Sequence, residues 1–379
     1  MLRVPSAGLG PRLTVDLAAL ARNFRALEQV STGALCGAVV KADAYGTGIV
    51  ASAEALYAAG ARFFFTATVD EGLAVRGALP EAHVFILDGL YPGAAETYVG
   101  NKLMPCLSSL AMLEEWLAYC LAHNEAYPAA FHFDTGMNRL GFRLNEVDIV
   151  TGRTGELGFA PQMVMSHLAC ADQPNHEMNR VQLALFQSLL THFPGIPASL
   201  ANSAGLMTMR EAHFQMVRPG IALYGGRAVS GRRNPMQRVV TLETPILQVR
   251  DARTGESVGY GAAYTLARDS RIATLALGYA DGFLRSLSSS NTHPGGRVAI
   301  RGRVLPVIGR VSMDLVTVDI TDLGSQVPVP GEMAEILGAN ISVDDQADAC
   351  GTIGYEILTA LHQGRYQRRY VDGPEIGAI

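Results

Sequence analysis

The chain has 379 residues, 49% of them hydrophobic and 17% charged, with a net charge of -5. That is enough for one large domain and a smaller one, each with its own core, so disorder is not the starting expectation. Lys and Arg are scattered in ones and twos, with no basic stripe for a nucleic acid. No apolar run approaches the roughly 18 residues that span a bilayer, and the opening Met1-Leu2-Arg3-Val4-Pro5-Ser6 lacks the basic-then-apolar pattern of a signal peptide. A soluble cytoplasmic protein is expected. The five cysteines are widely spaced with no C-x-x-C pair, and His176-Glu177 has Arg180 where a metalloprotease helix needs a second His, so no disulfide framework and no metal are expected.

In chain order, apolar and β-branched runs at 36–42, 62–68, 83–89, 102–108, 129–135, 161–168, 199–203 and 215–221 read as eight strands. Between them, segments such as 17–29, 71–77, 111–122 and 180–193 carry apolar residues three and four apart, as helices do. Eight βα units close a parallel barrel. After Tyr224-Gly225-Gly226 the pattern changes to long alternating strands at 239–250, 271–276, 297–307 and 312–320, with one helical stretch at 353–363. The fold class expected is α/β: an N-terminal (β/α)8 TIM-like barrel over 10–236, then a mostly antiparallel β domain over 237–379, which an arm of residues 1–9 joins.

Catalytic groups in such barrels lie at the C-terminal ends of the strands. The first strand ends Val39-Val40-Lys41-Ala42-Asp43-Ala44-Tyr45-Gly46. A lysine there either snorkels to the rim or is a desolvated amine whose lowered pKa suits it to form an imine with an aldehyde. The last four strands end in Asp134-Thr135-Gly136-Met137-Asn138-Arg139, Ser166-His167-Leu168, Ala201-Asn202-Ser203-Ala204-Gly205 and Val217-Arg218-Pro219-Gly220-Ile221. Ser203, Gly220 and Ile221 offer a hydroxyl and backbone N–H groups where barrels commonly hold phosphate.

The run Val-Val-Lys41-Ala-Asp-Ala-Tyr45-Gly46, then Asp134-Thr-Gly-Met-Asn-Arg139-Leu-Gly-Phe and Arg218-Pro-Gly-Ile-Ala-Leu-Tyr-Gly225, strongly resembles the alanine racemase family. The resemblance continues in order through Gly259-Tyr260, Tyr264, Gly278-Tyr279, Gly309-Arg310, Met313-Asp314 and Thr352-Ile353-Gly-Tyr355-Glu356. It implies a cytoplasmic, pyridoxal 5'-phosphate-dependent isomerase that supplies D-alanine as a peptidoglycan precursor and works as a homodimer with each active site shared between subunits. By the same resemblance Lys41 holds the cofactor and serves one face of the α-carbon, and Tyr260 of the second subunit serves the other. A planar α-carbon inverts only if a second group protonates the far side, so two bases are needed. Tyr45, Ser203, Gly220, Ile221 and Tyr355 are implied at the phosphate, with His167 and Arg218 as a network to Tyr260 and the cofactor ring. Arg139, Met313 and Tyr260 are implied at the substrate, and Asp172, Tyr264, Tyr279, Arg310, Asp314 and Ile353 along the access channel and gate. For Tyr264 and Tyr279, packing in a core or interface stands beside that role.

Seven residues before Arg139, many family members carry a carbamylated lysine; this chain has His132, which cannot carry the carbamate. Three other readings are weighed. A serine, lysine or broad-specificity racemase of the same fold differs only in substrate. A decarboxylase of basic amino acids leaves Tyr260 unexplained. A non-catalytic pyridoxal-phosphate carrier leaves the second domain unexplained.

Overall fold

Alternation of short apolar runs with amphipathic stretches forces helices to one side of each strand, and right-handed crossovers then curl parallel strands into a cylinder. The computed structural model describes residues 10–31, 33–156 and 158–373. Its chain opens with β1 (Arg12–Asp16), followed by the first barrel strand in two pieces, β2 (Leu35–Cys36) and β3 (Ala38–Val39). Then come β4 (Phe63–Thr66), β5 (His83–Ile86), β6 (Leu103–Leu107), β7 (Ala130–His132), β8 (Met163–Met165), β9 (Ala198–Ser199) and β10 (Met216–Val217). β3 to β9 form one parallel sheet in sequence order, and β10 pairs in parallel with β2. Gln215 N donates to Ala198 O at 3.1 Å and Arg218 N to Ala201 O at 2.9 Å, so β10 also lies against β9 and the barrel closes.

The interior is apolar. Phe65 and Phe85 stack at 4.9 Å, and Phe64 and Phe131 are fully buried; each such ring stabilises by about 1.5–3 kcal/mol. Helices Leu17–Val30 and Leu110–His123 start on side-chain caps from Asp16 and Ser109, which satisfy amide groups the first turn leaves free.

The second sheet is built on β11 (Val240–Ala252), with the small pair β12 (Ser257–Val258) and β13 (Tyr264–Thr265) beside it. β14 (Ser270–Leu275), β15 (Arg297–Ile300), β16 (Arg303–Pro306), β17 (Val316–Asp319), β18 (Met333–Leu337) and β19 (Gln367–Val371) complete it. All its pairings are antiparallel except β1 with β19. The segment 297–307, expected as one strand, is a hairpin. Arg301 and Gly302 both have positive φ, 52° and 76°, the two-residue turn whose twist matches the strands it joins. β1 sits in this second sheet, so the barrel's own elements begin at Leu17. The arm 1–9 lies outside the described residues.

One local departure shapes the site. The first strand stops at Val39 rather than running to residue 42, and Ala42, Asp43, Ala44 and Tyr45 follow Lys41 with φ of 54°, 53°, 53° and 55°. Four consecutive left-handed residues without glycine cost roughly 1–2 kcal/mol each, so outside contacts must hold them. Among the described residues, no helix is long and apolar enough to cross a membrane.

Candidate active site

At the C-terminal rim of the barrel, a cavity of about 460 Å³ is lined by Lys41, Tyr45, Arg139, His167, Ser203, Arg218, Gly220, Ile221 and Tyr355. These residues come from the loops after the first, fifth, sixth, seventh and eighth strands and from the helix Gly354–Ala360 of the second domain. Asp88, His132 and Asn202 also face it. A larger cleft of about 670 Å³ shares Ala42 and Thr359 with it, but is lined by Asp43, Asp70, Glu71 and Glu356, the wrong sign for a phosphate.

Burial lowers the Lys41 pKa, and the positive charge of Arg139 lowers it further, against Asp88 and Glu71, which raise it. The arrangement therefore favours the neutral, nucleophilic amine. Arg218 is 3% exposed, and no ion pair is recorded for it among the described residues. Its guanidinium donates to Ser199 Oγ, to Ser166 O at 2.6 Å and to His167 Nδ1 at 3.4 Å. Burial without a carboxylate pulls its pKa down to about 10. The His167 pKa lies well below its ordinary value, through burial first and then the charges of Arg218, Arg139 and Lys41. His132 is buried, its Nδ1 has no hydrogen-bond partner among the described residues, and its pKa falls to about 4 by burial and the same two arginines.

The opposite end is a cradle for an anion. Ser203 Oγ accepts from Gly220 N at 2.8 Å and Ala222 N at 3.4 Å, and a Cβ at Gly220 would stand 2.2 Å from Tyr45 Oη. Only glycine lets the backbone come so close to the phenol. Tyr45 stacks on Tyr224 at 4.6 Å, and Tyr224 donates to Val39 O at 3.0 Å, which anchors the ring. The Tyr355 pKa rises to about 12, first by burial and then by Asp172 and Asp344. An amine, a cluster of hydroxyl and backbone amide groups and a buried cation on one cavity fit a phosphorylated aldehyde such as pyridoxal phosphate.

The remaining candidate residues do not line this cavity within one chain. Tyr260 is 71% exposed, Ile353 61% and Met313 54%. Tyr260, Arg310, Met313 and Tyr279 are local neighbours: a Cβ at Gly261 would lie 2.8 Å from an Arg310 nitrogen, and Tyr279 N donates to Ser312 O at 3.1 Å. Arg365 pairs with both Asp314 and Asp281 at 2.7 Å. Asp172 Oδ2 accepts from the Ser230 hydroxyl at 3.1 Å. Tyr264 packs half-buried against the cluster of Val258, Leu266 and Ile308.

Sequence reasoning missed the residues behind the site. Gln182, fully buried on the helix Glu177–Leu190, donates to His167 O at 2.9 Å and Thr135 Oγ1 at 3.3 Å, and accepts from Ala169 N at 2.9 Å. The Thr135 and Ser166 hydroxyls are 2.8 Å apart. Ser199 was read only as the start of a strand. Asp88, just past an apolar strand, could have been found by the same strand-end rule that found Lys41.

A half-buried amine paired with an anion cradle on a barrel rim defines a cofactor-binding α/β-barrel enzyme with a second, β domain. The chain belongs to the alanine racemase family: the family's N-terminal domain matches residues 15–228 and its C-terminal domain residues 239–370. An alanine racemase of Rhizobium meliloti (strain 1021) is 47% identical, covering 96% of this chain and 97% of that protein. A biosynthetic alanine racemase of Agrobacterium fabrum is 46% identical, covering 95% and 93%. The crystal structure of the Bartonella henselae alanine racemase, with covalently bound pyridoxal phosphate, matches with a TM-score of 0.90 at 36% identity, covering 96% of this chain and 99% of that one.

Proposed function

We propose that this chain interconverts L-alanine and D-alanine, with pyridoxal phosphate held between Lys41 and the Tyr45–Ser203–Gly220 cradle. The observation that carries this is the convergence of nine residues from six separate loops and helices on one cavity. When bound, the cofactor supplies the electron-withdrawing ring that makes the α-proton of an amino acid removable.

Lys41 Nζ, with its lowered pKa, accepts or returns the proton on one face. Tyr260 Oη serves the other face from a second copy of the chain; its exposure in one copy and its place outside the residues that line the cavity support that assignment. Arg218, on the cavity wall, keeps its proton even with a pKa of about 10, so beside the bound cofactor it would stabilise charge without giving up a proton. Arg139 and Met313 position the substrate carboxylate, and Tyr355, Asp172, Tyr279, Arg310, Asp314 and Ile353 narrow the approach to a small side chain. The assembly is a homodimer in the cytoplasm, and the domain boundary falls at 236/237. The product feeds peptidoglycan synthesis.

Chiral chromatography of L-alanine, L-serine and L-lysine after incubation with the purified holoenzyme tests the reading. Alanine racemising fastest supports it; serine or lysine racemising faster replaces it with a racemase of other specificity. Cofactor binding with no racemisation at all returns the chain to the carrier reading, against which the matched second domain now stands.

A further inference from the structure

We propose that Arg368, on β19 of the second domain, is a positioning residue for Lys41 and acts through the left-handed turn that follows it. The inference rests on the reading of Lys41 as the group that binds the cofactor.

Ala42, Asp43, Ala44 and Tyr45 occupy a backbone region that side-chain-bearing residues avoid. Such a conformation persists only where its surroundings over-determine it. From the barrel, Glu71 holds one side: Oε1 accepts from Asp43 N at 3.3 Å and Oε2 from Ala67 N at 2.8 Å. At the exit, Asp43 Oδ1 accepts from Ile49 N at 2.8 Å and so caps the next helix. The remaining grip comes from the other domain. Arg368 Nη1 donates to Asp43 Oδ2 and Nη2 to Gly46 O, both at 3.2 Å, so one guanidinium straddles the middle of the turn and its end.

That grip suits arginine alone. A planar fork reaches two acceptors at a fixed spacing, whereas an ammonium is a single point charge. Arg368 and Asp43 are both half-buried, with side-chain exposures of 28% and 32%, which shields the pair from part of the solvent screening that weakens surface bridges. The strand beneath it is fixed by parallel pairing to β1, where Arg368 faces Leu13. Nearby, a Cβ at Gly48 would meet Tyr370 Oη at 2.1 Å, so the same strand packs closely on the segment leaving the turn.

The turn has a functional residue at each end. Lys41 opens it and Tyr45, whose hydroxyl abuts Gly220, closes it. A shift in the turn therefore moves the amine relative to the anion cradle, and displacements of about 1 Å at reacting groups cost large factors in rate.

The test uses apo-protein mixed with pyridoxal phosphate, following the visible absorbance as the amine condenses with the aldehyde, forming one C=N bond and releasing one water. Arg368→Met is expected to slow this capture, and to lower kcat for alanine, by about tenfold or more while KM stays within about twofold. Arg368→Lys regains part of the capture rate, and Arg369→Met, at an exposed site on the same strand, leaves it unchanged. Should Arg368→Met fail to fold, Asp43→Asn removes the charge at the same contact and carries the same expectation. Capture and kcat both at wild-type values, with only thermal stability lowered, overturns the proposal. If the wild-type chain captures the cofactor yet racemises no amino acid, the functional reading fails and the capture rates still decide this one.

Discussion

Arg218 donates to His167 Nδ1 at 3.4 Å, and since a guanidinium has no acceptor, this contact fixes the imidazole proton on Nε2. The ring is then neutral, in agreement with the downward pull on its pKa from burial and from the Arg218 and Arg139 guanidinium groups. Arg218→Lys should lower kcat by about 100-fold, because one ammonium cannot serve Ser199, Ser166 O and His167 together. Arg218→Leu removes a positive charge and should raise the His167 pKa, read by NMR titration of the imidazole.

If the site is shared between copies, Lys41→Met and Tyr260→Phe should each be inactive alone. Unfolded and refolded together, statistical pairing places one intact site in half of the dimers and restores about a quarter of wild-type activity. No recovery on mixing would place Tyr260 outside the neighbouring subunit's site.

His132 makes acid stability a measurable property. Its pKa is about 4 in the fold against 6.5 unfolded, so the unfolded state binds the proton first. Stability is full above pH 6.5 and falls as the pH drops toward 4, by on the order of 3 kcal/mol from this residue. His132→Leu should flatten the dependence of the urea midpoint between pH 7 and pH 4.5.

The same residue predicts independence from carbon dioxide. An imidazole cannot take up a carbamate, so racemisation rates should be equal in carbon-dioxide-free and bicarbonate-containing buffer. A clear bicarbonate requirement would locate a carbamate elsewhere.

Gln182 is fully buried and bridges the loops after β7 and β8. Gln182→Leu keeps the volume but strands the Ala169 amide and the His167 carbonyl. It should cost about 1–3 kcal/mol in thermal or urea denaturation.

The barrel was legible because each strand is a short apolar run ended by polar or glycine-bearing residues, a pattern that burial imposes directly. Lys41, Arg139, His167 and Arg218 follow from the same rule, since each stands just past an apolar strand. The left-handed turn was not legible. Ala42-Asp43-Ala44-Tyr45 contains no glycine before Gly46, and the Glu71 and Arg368 side chains that contact it are distant in sequence. The hairpin at Arg301-Gly302 was hidden because only two residues separate strands of like texture. Gln182 and Ser199 escaped notice because a buried polar residue inside an apolar pattern looks like noise until its partners are seen.

The first of the described strands, β1, lies between β11 and the last of them, β19. The second domain is therefore not a C-terminal appendage: its sheet lacks an inner strand unless residues 12–16, which precede the barrel, are paired into it. Residues 12–16 and their partner β11 are separated by more than two hundred residues, the whole of the barrel. Deleting them would open a gap in the sheet that carries Arg368, and cutting the chain near residue 232 would leave two fragments that still need each other to close it. Division into two pieces at the level of sequence families thus coexists with a sheet whose strands come from both sides of the barrel sequence.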